Sequence, residues 1–142
     1  MEASRIFELV NFIALIAWAL MIFTPKWKYT TKMVKNLISP VLLSMAYLTI
    51  ISTTINGSSL DITSLDQVRK LFNNDYVLLA GWIHYLAFDL FVGCWILKKS
   101  LDEKIPLYVS IPCLLFTFIA GPIGCLLFVA AYYIKKKTWI SL

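Results

Sequence analysis

Several apolar stretches of membrane-crossing length, joined by short polar connections, constrain this chain more than any single motif. A helix needs about 20 mostly apolar residues to cross a bilayer. Of the 142 residues, 60% are hydrophobic and 15% charged, well above the roughly 45–50% apolar share of soluble domains. No water-soluble core of this size could hide so much apolar surface. The length allows one domain, residues 1–142. The expected fold class is an all-α integral membrane protein: a bundle of four transmembrane helices with a short interfacial helix between the second and third.

The first span runs from about Ile6 to Phe23, with Glu8 and Asn11 one turn apart near its start. Pro25 closes it, because proline cannot continue the hydrogen-bond ladder. A basic loop leads to the second span, about Leu37 to Ile55, which has Pro40 in its first turn, where a missing N–H costs least. Asn56-Gly57-Ser58-Ser59 then signals a turn. The recurrence of Leu60, Ile62, Leu65, Val68, Leu71 and Phe72 among charges predicts an amphipathic interfacial helix over about 60–73. The third span covers about Tyr76 to Leu97. The last apolar stretch, Pro106 to Ile134, is longer than one span needs and carries Gly121-Pro122-Ile123-Gly124 near its middle. It reads either as one long kinked helix or as a broken, re-entrant pair. The single helix is preferred, because halves of about 14 residues are too short to cross.

The net charge of +5 does not point to nucleic acid as a partner, since the lysines flank apolar runs, as topology signals and headgroup contacts do. With four full spans, loops one and three carry seven Lys against six Lys/Arg elsewhere. A re-entrant last stretch would give ten against three, the more usual asymmetry. Cys94, Cys113 and Cys125 lie in apolar runs without metal-ligand spacing and read as small buried residues. The first span ends in Phe23-Thr24-Pro25-Lys26 with no small-residue cleavage site, so it reads as a retained helix, and no plastid transit pattern is present. That favours a prokaryotic membrane or a processed chain, and the expected location is a prokaryotic cytoplasmic membrane, in contact with membrane lipids.

Glu8, His84 and Asp89 are the ionisable groups that fall within spans, where each needs a partner or a water-filled cavity. They are the candidate catalytic residues, because low dielectric favours the neutral, proton-carrying form of a carboxyl. On an ideal helix His84 and Asp89 lie about 140° apart. They therefore address different walls, and a partner for either must come from another span, with Glu8 and Asn11 the nearest candidates. Asp89 shares a side with Trp82, Tyr85 and Gly93; His84 shares one with Phe88, Phe91 and Trp95. These aromatics, with Asn11 and Phe116, are candidate substrate-binding residues, and the same aromatic wealth also suits bilayer packing. Gly81, Gly93, Gly121, Pro122 and Gly124 are candidate helix-packing positions. No His/Cys cluster, phosphate loop or nucleophile elbow is present, so neither a metal nor another cofactor is expected.

Gly81-Trp82-Ile83-His84-Tyr85-Leu86-Ala87-Phe88-Asp89-Leu90-Phe91-Val92-Gly93, then Pro112 to Phe118 and Gly121-Pro122-Ile123-Gly124, resembles the abscisic-acid-deficient-four-like family, whose plant members are associated with neoxanthin synthesis. The length and span number agree over nearly the whole chain, and the specific motifs lie in its second half. Val92-Gly93-Cys94 stands where plant members tend to have alanines and then arginine, which resembles the short bacterial branch. The resemblance implies a carotenoid or other isoprenoid ligand and acid/base isomerisation of an epoxide end group to an allenic alcohol, which needs a proton donor and a base but no redox cofactor. Two other classes fit the same residues. One is a non-enzymatic lipid- or pigment-binding or assembly subunit, in which His84 and Asp89 fix helix packing. The other is a small transporter or proton relay through Asp89, in which four short spans would need a homo-oligomer.

Overall fold

A computed structural model describes residues 2–54, 62–138 and 140, and among them the secondary structure is entirely helical. Seven helices follow in order: α1 (Glu2–Phe23), α2 (Lys28–Lys35), α3 (Ile38–Thr54), α4 (Leu65–Leu71), α5 (Asp75–Asp102), α6 (Leu107–Ile119) and α7 (Gly121–Lys136). The helix ends follow local chemistry. Ser64 caps α4 by accepting from the Gln67 N–H at 3.3 Å, and Asn74 caps α5 by accepting from the Tyr76 and Val77 N–H groups. At the end of α5, Lys104 takes a left-handed φ of 54° and the Ile105 N–H reaches the Ser100 carbonyl at 2.8 Å, which closes the terminal carbonyls.

α5 is the axis of the molecule. At 28 residues it is about 42 Å long. α1 runs parallel to it: Asn11 meets Trp82 at 3.1 Å, and ten residues on Met21 meets Cys94 at 3.9 Å. α3 runs antiparallel to it, with Tyr47 beside His84 and Pro40 beside Phe91. Trp18, Met21, Leu43, Ile83, Leu90, Ile96, Leu114 and Phe128 are buried between these helices, while Phe12, Leu15, Met45, Leu48, Leu126 and Ile134 face outward. Large apolar side chains thus cover the outside as well as the core, as in a protein solvated by lipid.

The expected fourth span is not one helix. Lys135 Nζ donates to Tyr108 Oη at 3.1 Å, although 27 residues separate them and a straight helix would hold them about 40 Å apart. Gly124 packs so closely on Thr117 and Cys113 that a Cβ there would overlap their backbone atoms. α6 and α7 therefore fold back on each other as a hairpin with Ala120 at the tip. The break has a local cause: Pro122 has no N–H and its ring would clash with the carbonyl of residue 118, while Gly124 permits the close return.

Two helices, α1 and α5, are long and apolar enough to cross a membrane; α2 and α3, bent by 49° at their junction, would make a third if counted as one broken span. That replaces the four uninterrupted spans expected. α2 also occupies what reads in the sequence as a loop, and α4 is shorter than the expected interfacial helix. The Asn56–Ser59 turn and Leu60 lie outside the described residues. With the hairpin folded back, ten lysines gather at one end of the molecule, against Arg5, Arg69 and Lys70 at the other.

Candidate functional site

Asp89 sits halfway along α5, buried, with 7% of its surface exposed. Its carboxyl points at the hairpin tip: a Cβ on Gly121, the first residue of α7, would overlap Oδ1. Among the described residues Oδ2 has no hydrogen-bond partner. The start of α7 brings the positive end of its helix dipole to these oxygens, while the Ile123 and Gly124 N–H groups are taken by the Ala120 carbonyl at 2.9 and 3.4 Å. Glycine is required here because any side chain would fill the space the carboxyl occupies. One turn earlier on α5, Tyr85 reaches the same tip, its hydroxyl donating to the Ile119 carbonyl at 3.4 Å.

The hairpin covers only half of this face of α5. Below Asp89, Ile96 and Ser100 are fully buried; above it, Trp82 is 38% and Leu78 51% exposed. α6, with 13 residues, is about 20 Å long, which is half of α5, so it ends level with Asp89. Above Asp89 the face of α5 that carries Tyr85 and Trp82 is therefore left uncovered by the hairpin, whose tip residue Ile119 is exposed beside it. Trp82 is held by its indole N–H donating to Asn11 Oδ1 and by the rings of Phe7 at 5.7 Å and Tyr85 at 5.5 Å. Above Trp82 lies a cavity of about 490 Å³ between α1 and α5, lined by Phe7, Glu8, Asp75, Leu78 and Trp82 among others.

His84 belongs to another wall. It faces α3 and is exposed, with the rings of Phe88 at 4.7 Å and Tyr47 at 5.8 Å. A cavity of about 110 Å³ beside it leads to one of about 300 Å³ lined by Pro40, Phe88 and Phe91. Trp95 leaves that stripe and packs edge-on against Phe128 of α7 at 5.5 Å. Phe116 is exposed on the outside of α6. Glu8 and Asn11, the expected partners of the α5 groups, meet neither of them. Asn11 is satisfied by Trp82 and by the Phe7 carbonyl at 2.7 Å, and Glu8 lines the upper cavity. Asp89 meets the hairpin instead, an element that reads in the sequence as a separate span. Gly81 faces Phe72, Gly93 lies under Trp18, and Pro122 is exposed on the first turn of α7. Among the described residues no three His, Cys, Asp or Glu side chains are placed to hold a metal.

A family model described as ABA DEFICIENT 4-like matches residues 5–128. The chain belongs to that family. The match runs from the first turn of α1 through Phe128 of α7, so it contains α5, the hairpin tip and the Asp89–Gly121 contact. No curated protein and no solved structure matches the chain. A fold hosts many activities, so the function of this family member has to be argued from its site.

Two contacts at the site escape a reading of the sequence: Tyr85 on the Ile119 carbonyl, and Asp89 on Gly121. The signal for both is the Gly121-Pro122-Ile123-Gly124 motif, which marks the return of the chain and hence what faces α5.

Proposed function

We propose that this chain crosses the membrane three times, through α1, the broken α2–α3 pair and α5, with α6–α7 as a re-entrant hairpin. In this reading it acts on a carotenoid or other isoprenoid by acid/base isomerisation at Asp89. The observation that carries the proposal is the buried Asp89 carboxyl at the hairpin tip, with one oxygen unpartnered among the described residues, below a face of α5 that the hairpin leaves uncovered. An ionisable side chain at the centre of a span costs roughly 2.5–3.5 kcal/mol on insertion scales, so its presence calls for a role. The lysines at the end holding both the α5–α6 turn and the α7 terminus support a cytoplasmic side for that end, in what is proposed to be a prokaryotic cytoplasmic membrane.

The apolar chain of the ligand lies along Tyr85, Trp82 and Phe7, with its oxygenated ring over the hairpin tip beside Asp89. Asp89 O–H donates its proton to the epoxide oxygen and a C–O bond breaks. The carboxylate so formed takes a proton from the neighbouring polyene carbon, and that C–H electron pair becomes the new double bond of the allene. One proton is given and one taken, no electrons leave the substrate, and Asp89 ends as it began. Tyr85 holds the hairpin tip in register and offers a hydroxyl beside the reacting ring.

A second reading has its own support. The Asp89–Gly121 contact joins α5 to the hairpin, so a pigment- or lipid-binding protein without turnover would also use it. Expression of the chain in cells that accumulate epoxy-carotenoids separates the two. The isomerase reading expects a new allenic pigment of unchanged mass. An unchanged pigment set, with epoxy-carotenoid co-purifying in mild detergent, favours the binding protein.

A further inference from the structure

We infer that the recess between α2 and the last turns of α5 binds the phosphodiester headgroup of an anionic phospholipid. The inference rests on the membrane placement proposed above and not on the carotenoid chemistry. Lys26, Lys35 and Lys98 line a cavity of about 240 Å³ together with Val34, Leu101 and Asp102. Asp102 is engaged by Lys98 at 2.9 Å, and among the described residues no carboxylate pairs with Lys26 or Lys35. Lys26 and Lys35 thus line a cavity whose one acid is already paired with Lys98, with Lys35 adding a weaker attraction to the same carboxylate. Lys26 and Lys35 are exposed, so flexible ammonium groups can close over an anion without losing all their hydration.

The depth of the recess selects the source of that anion. Trp27 and Tyr29, the residues flanking the start of α2, are exposed and packed edge-to-face at 4.8 Å, with Lys28 over the Tyr29 ring at 4.9 Å. Aromatic rings and lysine stems settle at the headgroup level of a bilayer. Across the molecule, Tyr108 and Lys135 pair at the same end. Val34 and Leu101 give the recess an apolar wall on which glycerol and the first acyl carbons fit, which a free phosphate would not use. α2 meets α3 at a bend of 49°, and Lys35 near its end lines the recess together with Leu101 and Asp102 of α5.

The test is a melting experiment on the full chain in neutral detergent, titrated with short-chain phosphatidylglycerol, short-chain phosphatidylcholine or inorganic phosphate. Phosphatidylglycerol is expected to raise the melting temperature and the other two to leave it unchanged. Lys26→Ala and Lys35→Ala should each weaken the phosphatidylglycerol midpoint about fivefold, the loss expected for one lysine at an anionic surface. Lys137→Ala, at the same end but outside the recess, should not weaken it. An equal loss in Lys137→Ala would mean general attraction to the basic end and would overturn the site. A shift with inorganic phosphate alone would overturn the lipid assignment. Absence of any phosphatidylglycerol shift in the wild-type chain would overturn the proposal, whatever the outcome of the pigment experiment.

Discussion

Asp89 on α5 and Gly121 at the start of α7 are packed so closely that a methyl on Gly121 would occupy the place of Asp89 Oδ1. The contact fixes how far the hairpin enters the molecule and what the carboxyl faces. Gly121→Ala must push the carboxyl aside or lift the tip, and overpacking of this kind costs about 1–3 kcal/mol. Thermal unfolding in detergent should show that loss. Ile123→Ala, exposed nearby on α7, should stay within about 0.5 kcal/mol of wild type.

The hairpin makes a topological prediction. Single cysteines at Lys104 and Lys137, in a chain whose native cysteines are replaced by alanine, should react with an impermeant thiol reagent from the same side of the membrane. A cysteine at Arg69 should react from the other side. Labelling of Lys104→Cys and Lys137→Cys from opposite sides would mean that α6 and α7 form one crossing.

Gly93 of α5 lies directly against α1, where a Cβ would come within 2.7 and 2.9 Å of the Trp18 ring and 3.2 Å of Met21 Cε. The methionine can move, whereas the indole, fully packed, cannot. Gly93→Ala is expected to lower stability by about 1–3 kcal/mol, and Trp18→Phe in the same chain to restore part of it. Melting of the two single variants and the double variant measures the coupling.

How much of this could be read from the sequence depends on what each element rests on. α1, α3 and α5 are legible because long apolar runs leave helix as the economical way to satisfy a backbone in lipid. α2 is not, because Lys28-Tyr29-Thr30-Thr31-Lys32 lacks apolar content and becomes a helix only by burying Thr30 and Val34 against its neighbours. The last stretch misleads for a physical reason: its two halves, 13 and 16 residues, are too short to cross alone, and only tertiary contacts at Gly124 and Tyr108 turn a kink into a return. The separation of His84 and Asp89 onto different walls is legible from helix periodicity alone. The identity of the element facing Asp89 is not, since it depends on where the hairpin ends.

His84 and Asp89 should differ in consequence. His84 lies on the α3 side with Phe88 and Tyr47, away from the hairpin tip. His84→Ala is expected to leave product formation by the expressed chain at the wild-type level, measured by pigment chromatography at equal protein amount. Loss of product with normal folding would place the base on the His84 wall.

The central claim is that the Asp89 carboxyl moves protons for the reaction. Its most direct test is the rate of allenic product formation by Asp89→Asn, purified alongside wild type and compared at equal folded protein. The substitution keeps the shape of the side chain at Gly121 and removes the acid. A fall of about 100-fold or more, the usual contribution of a general acid/base, with an unchanged melting temperature is the predicted result. An unchanged rate would contradict the account.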